Sequence, residues 1–330
     1  PGMISLGIPI VIPLNDMMNE YAPNFTKLLE ENPETRKGLT MLDGKIYGTP
    51  YAGELLSPRI PCKLFINKVW MEQLGLDMPK TTDDFYNYLK AIKENDCNGN
   101  GDPNDEIPLG GDFYSVHDML AGAWGLKNRG TSHPYVDWDE SENDLRFFPI
   151  TEEYRDFLKY LNKLYTEKLM DEEAFTLNAE NFVAKAEQDL YGTFSRINHT
   201  FVGQKLQDNF EGIAEALVGP NGVQIFTGVN PSIYTAAAFV ITNVNKYPEL
   251  TMRWIDYFYG EEGIELYFMG EKGVTYETDS DGNNYYLEVI TKNPDGLSYD
   301  QAQGLYVCWG GGGNPSIVRE NYFPGPATLP

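Results

Sequence analysis

The stretch best equipped for chemistry is Asp96-Cys97-Asn98-Gly99-Asn100-Gly101-Asp102-Pro103-Asn104-Asp105-Glu106-Ile107-Pro108. Oxygen-bearing side chains fall at Asp96, Asn98 and Asn100, a glycine follows at Gly101, and two carboxylates close the run at Asp105 and Glu106. A hard cation wants that spacing. Ca²⁺ takes six to eight oxygens at about 2.3–2.6 Å, and a chain wraps it by offering oxygens from alternate positions, turning on a glycine and returning with an acid. An EF-hand loop places its bidentate Glu at position twelve, where this chain has Ile107; the acids here stand one and two places earlier. The pattern predicts a single Ca²⁺ loop of related design, with Asp96, Asn98, Asn100, Asp105 and Glu106 as side-chain ligands and Asp102 giving its backbone carbonyl. The competing reading is a solvated Asn/Gly turn that ends a helix.

The elements that must position this loop can be read from periodicity. Thr82 opens a helix whose Phe85, Tyr88, Leu89 and Ile92 recur at three and four residues, with Asp83 and Asp84 in its first turn to suit the dipole. It runs directly into the loop. Lys63-Leu64-Phe65-Ile66 reads as an apolar strand, and Asn67 caps a helix carrying Val69, Trp70 and Leu74. Val116, Met119, Leu120, Ala123 and Trp124 predict a half-buried helix, and residues 131–149 a strand pair or an excursion. Thr151 begins a long amphipathic helix with Tyr154, Phe157, Leu158, Leu161, Leu164 and Tyr165 on one face. Asp189 to Phe194 and Thr235 to Thr242 read as strands, Asp43-Gly44 and Asp279-Ser280-Asp281-Gly282-Asn283 as hairpin turns, and Gly310 to Gly313 as a tight or flexible loop. Strands alternating with helices argue a mostly α/β protein. Trp70 and Trp254, at helical spacing with other apolar residues, are expected in the core.

Composition sets the outer bounds. A chain of 330 residues can bury a sizeable core and suggests two domains. With 25 Lys+Arg against 49 Asp+Glu, its formal net charge is −24. That field repels nucleic acid and anionic membrane and favours neutral ligands or cations. No run of about 18 apolar residues predicts a membrane span. The chain opens at Pro1-Gly2-Met3 without a signal-peptide pattern, which predicts a piece of a longer protein. Cys62, Cys97 and Cys308 are too few and scattered for a zinc site or a disulfide framework, though one pair could bridge. His117, His133 and His199 never reach metal-ligand spacing and are expected at the surface or at caps. Aromatics are in excess, with 22 Tyr, 17 Phe and 5 Trp. Such rings can lie against the apolar C–H faces of sugars while hydroxyls seek polar partners.

Several segments, read together, resemble one family. They are Pro13-Leu14-Asn15-Asp16 leading to Tyr21-Ala22-Pro23-Asn24; Asp43-Gly44-Lys45-Ile46-Tyr47-Gly48-Thr49-Pro50-Tyr51; Leu64-Phe65-Ile66-Asn67-Lys68-Val69-Trp70 with Leu74-Gly75-Leu76 and Pro79-Lys80-Thr81; the loop ending Asp105-Glu106-Ile107-Pro108; Glu261-Glu262-Gly263; and Asn293-Pro294-Asp295-Gly296-Leu297-Ser298. The chain resembles the extracellular solute-binding proteins (family 1) of carbohydrate ABC importers, in particular the Gram-positive lipoprotein branch. The resemblance implies an α/β, periplasmic-binding-protein-like type II fold with two lobes, a cleft that holds an oligosaccharide or sugar, and a structural Ca²⁺ loop. It also implies ABC permease membrane subunits as partners, no nucleic acid, and a monomer. Location would be extracellular, held at the membrane by a lipid anchor absent from this chain. By that likeness residues 1–55 form part of lobe 1, 56–234 lobe 2 with the Ca²⁺ loop, and 235–275 a return to lobe 1. Residues 276–330 follow as a C-terminal extension. Relatives carry further N- and C-terminal portions, which makes this chain a fragment by the same likeness.

Candidate ligand contacts follow from the resemblance. Phe194 falls where relatives place a cleft aromatic, against ordinary core burial as the alternative. Glu54 and Arg59 stand at the expected lobe crossing, where a carboxylate and a guanidinium could bond vicinal hydroxyls; a surface salt bridge is the rival account. Trp124 and Trp309 are further cleft candidates, and Arg196 could hold a ligand hydroxyl or acid. The leading function is a non-enzymatic receptor that captures a saccharide for a permease. A glycoside hydrolase would need two carboxylates about 5–10 Å apart, and no stretch singles out such a pair. A peptide-binding or adhesion surface protein is the third class.

Overall fold

The computed structural model describes residues 10–53, 59–127, 135–203, 205–280, 282–297, 299–308 and 315–319. Helices α1 (Asn15–Tyr21), α2 (Pro23–Glu31) and α3 (Pro33–Leu39) lead to strand β1 (Thr49–Gly53). Then come β2 (Lys63–Asn67), α4 (Lys68–Gln73), α5 (Thr82–Lys93), β3 (Ile107–Gly110), α6 (Phe113–Leu120), β4 (Val136–Asp139), β5 (Asp144–Phe147), α7 (Glu152–Thr166), α8 (Ala179–Glu187), β6 (Tyr191–Arg196) and β7 (Phe210–Gly212). The last third holds β8 (Ile233–Phe239), α9 (Pro248–Asp256), α10 (Glu261–Phe268), β9 (Tyr276–Thr278), β10 (Asn284–Tyr286), α11 (Glu288–Thr291), α12 (Tyr299–Tyr306) and β11 (Ser316–Val318). The described residues of Pro1–Leu55 and Pro231–Gly325 form one compact unit, and those of Leu56–Asn230 a second.

The first unit is built on the sheet β11-β1-β8, in which β1 runs parallel to β11 and antiparallel to β8. The Asp43-Gly44 turn forms, closed by Met41 N–H to Lys45 O at 2.9 Å, but no hairpin grows from it, because β1 takes β8 and β11 as partners instead. The segment from 276, expected as an extension, belongs to this unit: Ser316 to Val318 pair residue by residue with Tyr51 to Gly53. The hairpin expected near Asp279 is present as β9 and β10. Trp254, expected in the core, is 58% exposed, since α9 turns Met252 and Ile255 inward and leaves the indole on its flank against Phe239 and Phe258.

The second unit carries the four-stranded sheet β3-β6-β2-β7, with β3 parallel to β6 and β2 antiparallel to both β6 and β7. Strand β2 alternates strictly. Leu64 and Ile66 enter a core with Phe85, Leu89, Ile92, Phe157 and Leu161, while Phe65 enters the opposite one with Phe182, Phe194 and Phe210. Covering both faces explains why β2 is buried end to end. Helix α5 starts in a capping box: Thr81 Oγ1 accepts from Asp84 N–H and Asp84 Oδ2 from Thr81 N–H, both at 3.0 Å. Its C-terminal Ile92 packs so closely on β6 that a Cβ at Gly192 would stand 2.3 Å from the Ile92 Cδ1. Each fully buried apolar side chain here is worth about 1.5–3 kcal/mol of transfer free energy.

The β4–β5 hairpin is inverted. Its inward face carries Asp137 and Arg146, joined bidentately at 2.8 and 2.7 Å, while Trp138, Leu145 and Phe147 lie exposed on the other. His117, expected at the surface or at a cap, is buried among Phe113, Tyr154 and Phe157, because it shares the α6 face of Val116 and Leu120. The three cysteines are free thiols. Among the described residues no helix is long and apolar enough to cross a membrane.

Candidate functional site

Two places in the second unit carry polar chemistry, and the first is the loop between α5 and β3. Asp96 accepts from Gly99 N–H with Oδ1 at 2.8 Å and from Gly101 N–H with Oδ2 at 2.9 Å. Asn98, Asn100 and Asp102 each accept from the N–H two residues on, at 3.0, 2.8 and 3.1 Å. This succession of side-chain-capped turns coils the backbone, and Gly99 and Gly101 permit it with φ of +72° and +94°. Asp105 closes the coil, receiving Asn98 Nδ2 at 3.3 Å and Asn100 Nδ2 at 2.5 Å. Ile107, the twelfth position, is already in β3 and bonded to Leu190 O, so the closing acid is Glu106.

Glu106 is 8% exposed, and its Oε1 accepts from Cys97 N–H at 2.7 Å and Asn98 N–H at 3.4 Å. Its Oε2 is buried without a partner. Desolvation pushes the Glu106 carboxyl above its ordinary value. Beside the loop lies a cavity of about 420 Å³ that brings Lys93, Lys168 and Lys185 near. Each is engaged elsewhere: Lys93 with the Glu167 carbonyl, Lys168 with Glu172, and Lys185 with Asp171 and Glu173. Among the described residues no Lys or Arg forms an ion pair with Asp96, Asp102, Asp105 or Glu106. No three His, Cys, Asp or Glu side chains among the described residues cluster as a metal site, so Asn and backbone oxygens must complete any coordination. Four acids within eleven positions, two Asn amides turned to one carboxylate, and an orphaned buried oxygen fit an oxygen-seeking divalent cation. Rotating the two amides by a half-turn would exchange nitrogen for oxygen at Asp105.

The second place lies at the carboxyl ends of β3 and β6, where open α/β sheets commonly receive ligands. Arg196 ends β6, and Asp112 follows β3 and caps α6 by accepting from Ser115 N–H at 3.0 Å. The Arg196 guanidinium donates to Asp112 Oδ2 at 2.6 Å and to Ser115 Oγ at 3.2 Å, and lies 4.3 Å from the Phe182 ring centroid. The bonds from Ser115 and Arg196 hold the Asp112 carboxyl below its ordinary value, overcoming the opposing effect of burial. Lys63, opposite Arg196 across the strands, donates to Ile197 O at 2.8 Å, and burial lowers its ammonium to about 8. Tyr114, which precedes Ser115 in the first turn of α6, is 72% exposed.

Of the described residues expected to meet a ligand, only Arg196 joins this cluster. Phe194 is fully buried between Phe65, Phe182 and Phe210 at centroid distances of 5.3, 5.6 and 4.9 Å. Its placement is core packing, the alternative reading, because β6 is covered on both faces. Trp124 is likewise buried, against Phe157 and Tyr160. Arg59 Nε donates to Asn230 O at 2.7 Å, and Asn230 N–H returns a bond to Arg59 O. Glu54 and Trp309 lie outside the described residues. The sequence reading missed Asp112, Ser115 and Tyr114. Helical spacing could have shown that Tyr114 lies off the buried face of Val116, His117 and Leu120.

Comparison with known proteins decides the kinship. The family model described as bacterial extracellular solute-binding protein matches residues 9–265. The chain belongs to this family. It is 31% identical over 338 residues to the fructooligosaccharide ABC transporter substrate-binding protein FusA of Streptococcus pneumoniae serotype 4 (strain ATCC BAA-334 / TIGR4), covering 97% of this chain and 59% of that protein. It is 27% identical over 324 residues to lipoprotein LipO of Bacillus subtilis (strain 168), covering 93% of this chain and 59% of LipO. The chain thus spans 59% of the length of each of these two relatives. The solved structure of S. pneumoniae FusA in complex with kestose superposes with a TM-score of 0.73 at 28% identity, over 96% of this chain and 65% of that one. A FusA EF-hand mutant in complex with fructo-nystose gives 0.73 at 28%, over 96% and 64%. The periplasmic-binding-protein-like type II fold implied by the family resemblance is therefore the fold of this solute-binding protein.

Proposed function

We propose that this chain is part of the substrate-binding component of an ABC importer, and that it captures a neutral oligosaccharide or sugar for a membrane permease without altering it. The observation that carries the reading is the cluster at the carboxyl ends of β3 and β6. It sets a carboxylate, a hydroxyl and a guanidinium beside an exposed aromatic ring in a chain of fructooligosaccharide-receptor kinship. Sugars ask for this combination, since their hydroxyls both donate and accept while their C–H faces seek an aromatic plane. Asp112 would accept, Ser115 and Arg196 would complete a fork of mixed polarity, and Tyr114 would supply the plane. The net charge of −24 favours an uncharged saccharide over an acidic one.

The loop from Asp96 to Glu106 serves as a Ca²⁺ clamp. Asp96, Asn98, Asn100, Asp105 and Glu106 would hold the ion with the Asp102 carbonyl. A bound cation supplies counter-charge and cross-links the end of α5 to the start of β3. The description of a FusA structure as an EF-hand mutant supports this reading. Family membership supports an extracellular setting, and the lipoprotein LipO supports a lipid anchor in the whole protein.

Titration calorimetry with fructo-, xylo-, cello- and chito-oligosaccharides, paired with chromatography of the incubated sugars, tests the proposal. Binding of at least one series with the sugar recovered intact is expected, as is weakening by Asp112→Asn. Hydrolysis products would replace the receptor reading with a glycosidase. Peptides binding where all saccharides fail would replace it with a peptide or adhesion receptor.

A further inference from the structure

A continuous row of aromatic rings leads away from the polar cluster along the β3 edge of the second unit. Tyr114 and Phe113, in the first turn of α6, have ring centroids 6.2 Å apart. Phe113 lies parallel to Phe175 at 4.8 Å and 22°, and Phe175 meets the edge of Tyr165 at 5.4 Å and 76°. Two of the four rings face solvent, Phe175 being 62% exposed and Tyr114 72%. Their positions follow from the sheet. Met170 bridges in parallel to Leu109, so the segment after it emerges at the same sheet end as Asp112, and Phe113 N–H is bonded to Ala174 O at 2.9 Å.

Phe175 is held ready rather than loose. Ala174 N–H is tied to Asp171 O, Thr176 and Leu177 N–H to Glu173 O, and Ala174 and Leu177 are buried on either side of it. Such preorganisation spares a ligand the cost of ordering the loop. The row offers aromatic instead of aliphatic surface, begins at the helix turn that follows Asp112, and is flanked by the exposed carboxylates of Glu172 and Glu173. A neutral, hydroxyl-rich chain matches that surface; a polyanion does not.

We infer that this row is an extension subsite for the distal residues of a neutral oligosaccharide whose first units occupy the Asp112–Arg196 cluster, and that it makes the protein selective for longer chains. The inference rests on the saccharide-receptor reading above. Titration calorimetry on the full chain with a neutral oligosaccharide series from disaccharide to pentasaccharide, kestose among the trisaccharides, tests it. Affinity should rise with length. Phe175→Ala should weaken the longest members about five- to tenfold, leave the shortest bound member within about twofold, and flatten the length dependence; Phe175→Tyr should restore it. Melting temperatures of the variants should match wild type. If Phe175→Ala weakens every length equally, or leaves a rising length dependence intact, the extension subsite is wrong. If wild type binds no member of any series, the saccharide-receptor reading itself fails and the subsite with it.

Discussion

Glu106→Gln is the sharpest test of the clamp between α5 and β3. In the wild type one carboxylate oxygen accepts from two backbone N–H groups, and the other is buried and unpartnered. Glutamine keeps the shape and one acceptor, but it removes the charge and can set an NH₂ where a cation would bind. A ligand that binds only the folded state stabilises it by about 2.7 kcal/mol at a hundredfold excess over Kd. For a unit the size of Leu56–Asn230, each kcal/mol moves Tm by about 2–4 °C. Saturating Ca²⁺ should therefore raise the Tm of the wild-type unit by about 5–10 °C over EGTA-treated protein. In EGTA, Glu106→Gln should melt at or above wild type, because a desolvated carboxylate has been neutralised. In Ca²⁺ it should lose most of the gain. Differential scanning calorimetry of both proteins in both buffers gives the four values needed. A Ca²⁺ shift as large in Glu106→Gln as in wild type, or no shift in wild type, would refute the reasoning.

Three further outcomes follow from particular contacts. Phe194→Ala should cost about 3–5 kcal/mol in urea unfolding by emptying the space between Phe65, Phe182 and Phe210, while saccharide affinity of the folded protein stays within a few-fold; a neutral effect on stability would contradict its core placement. Asp137→Ala should cost about 3 kcal/mol, since Arg146 loses both carboxylate bonds beneath the β4–β5 hairpin, and a loss below about 1 kcal/mol would count against it. Lys63 gives a pH signature. Its folded-state value of about 8 lies below the ordinary 10.5, so the unfolded chain binds the extra proton between those values and stability rises with pH there. Relative to Lys63→Met, the wild type should gain up to about 1.4 kcal/mol per pH unit in that window. Equal pH slopes for the two proteins would rule this out.

The loop was legible because its chemistry is local. Alternating oxygens, glycines and closing acids sit within one short run, and the helix before it declares itself by Asp83, Asp84 and the spacing of Phe85 to Ile92, although its cap is Thr81, one residue before the expected Thr82. Which aromatics stay exposed was not legible. Whether Phe194, Trp124 or Trp254 is covered depends on what packs over a strand or helix from far along the chain, and the residue type carries no such information. Phe194 looks like a neighbour of Arg196 in sequence, yet the helices over β6 enclose one and leave the other at the strand end. Asp112 was equally hidden: it reads as a helix cap, and only the parallel pairing of β3 with β6 brings Arg196 against it. The partners of β1 lie in Ile233–Phe239 and Ser316–Val318, too distant for a turn signal, so Asp43-Gly44 suggested a hairpin that does not exist.

That last pairing has a bearing on synthesis. Leu56–Asn230 is one uninterrupted stretch, so it holds every strand of its own sheet once Asn230 has left the ribosome. Thr49–Gly53 emerges earlier yet must wait for Ser316–Val318, some two hundred and sixty residues behind it, before its sheet can close. Contacts so far apart along the chain form slowly. Leu56–Asn230 can therefore mature ahead of the sheet that flanks it in sequence, and Thr49–Gly53 is left for longer in need of protection from aggregation.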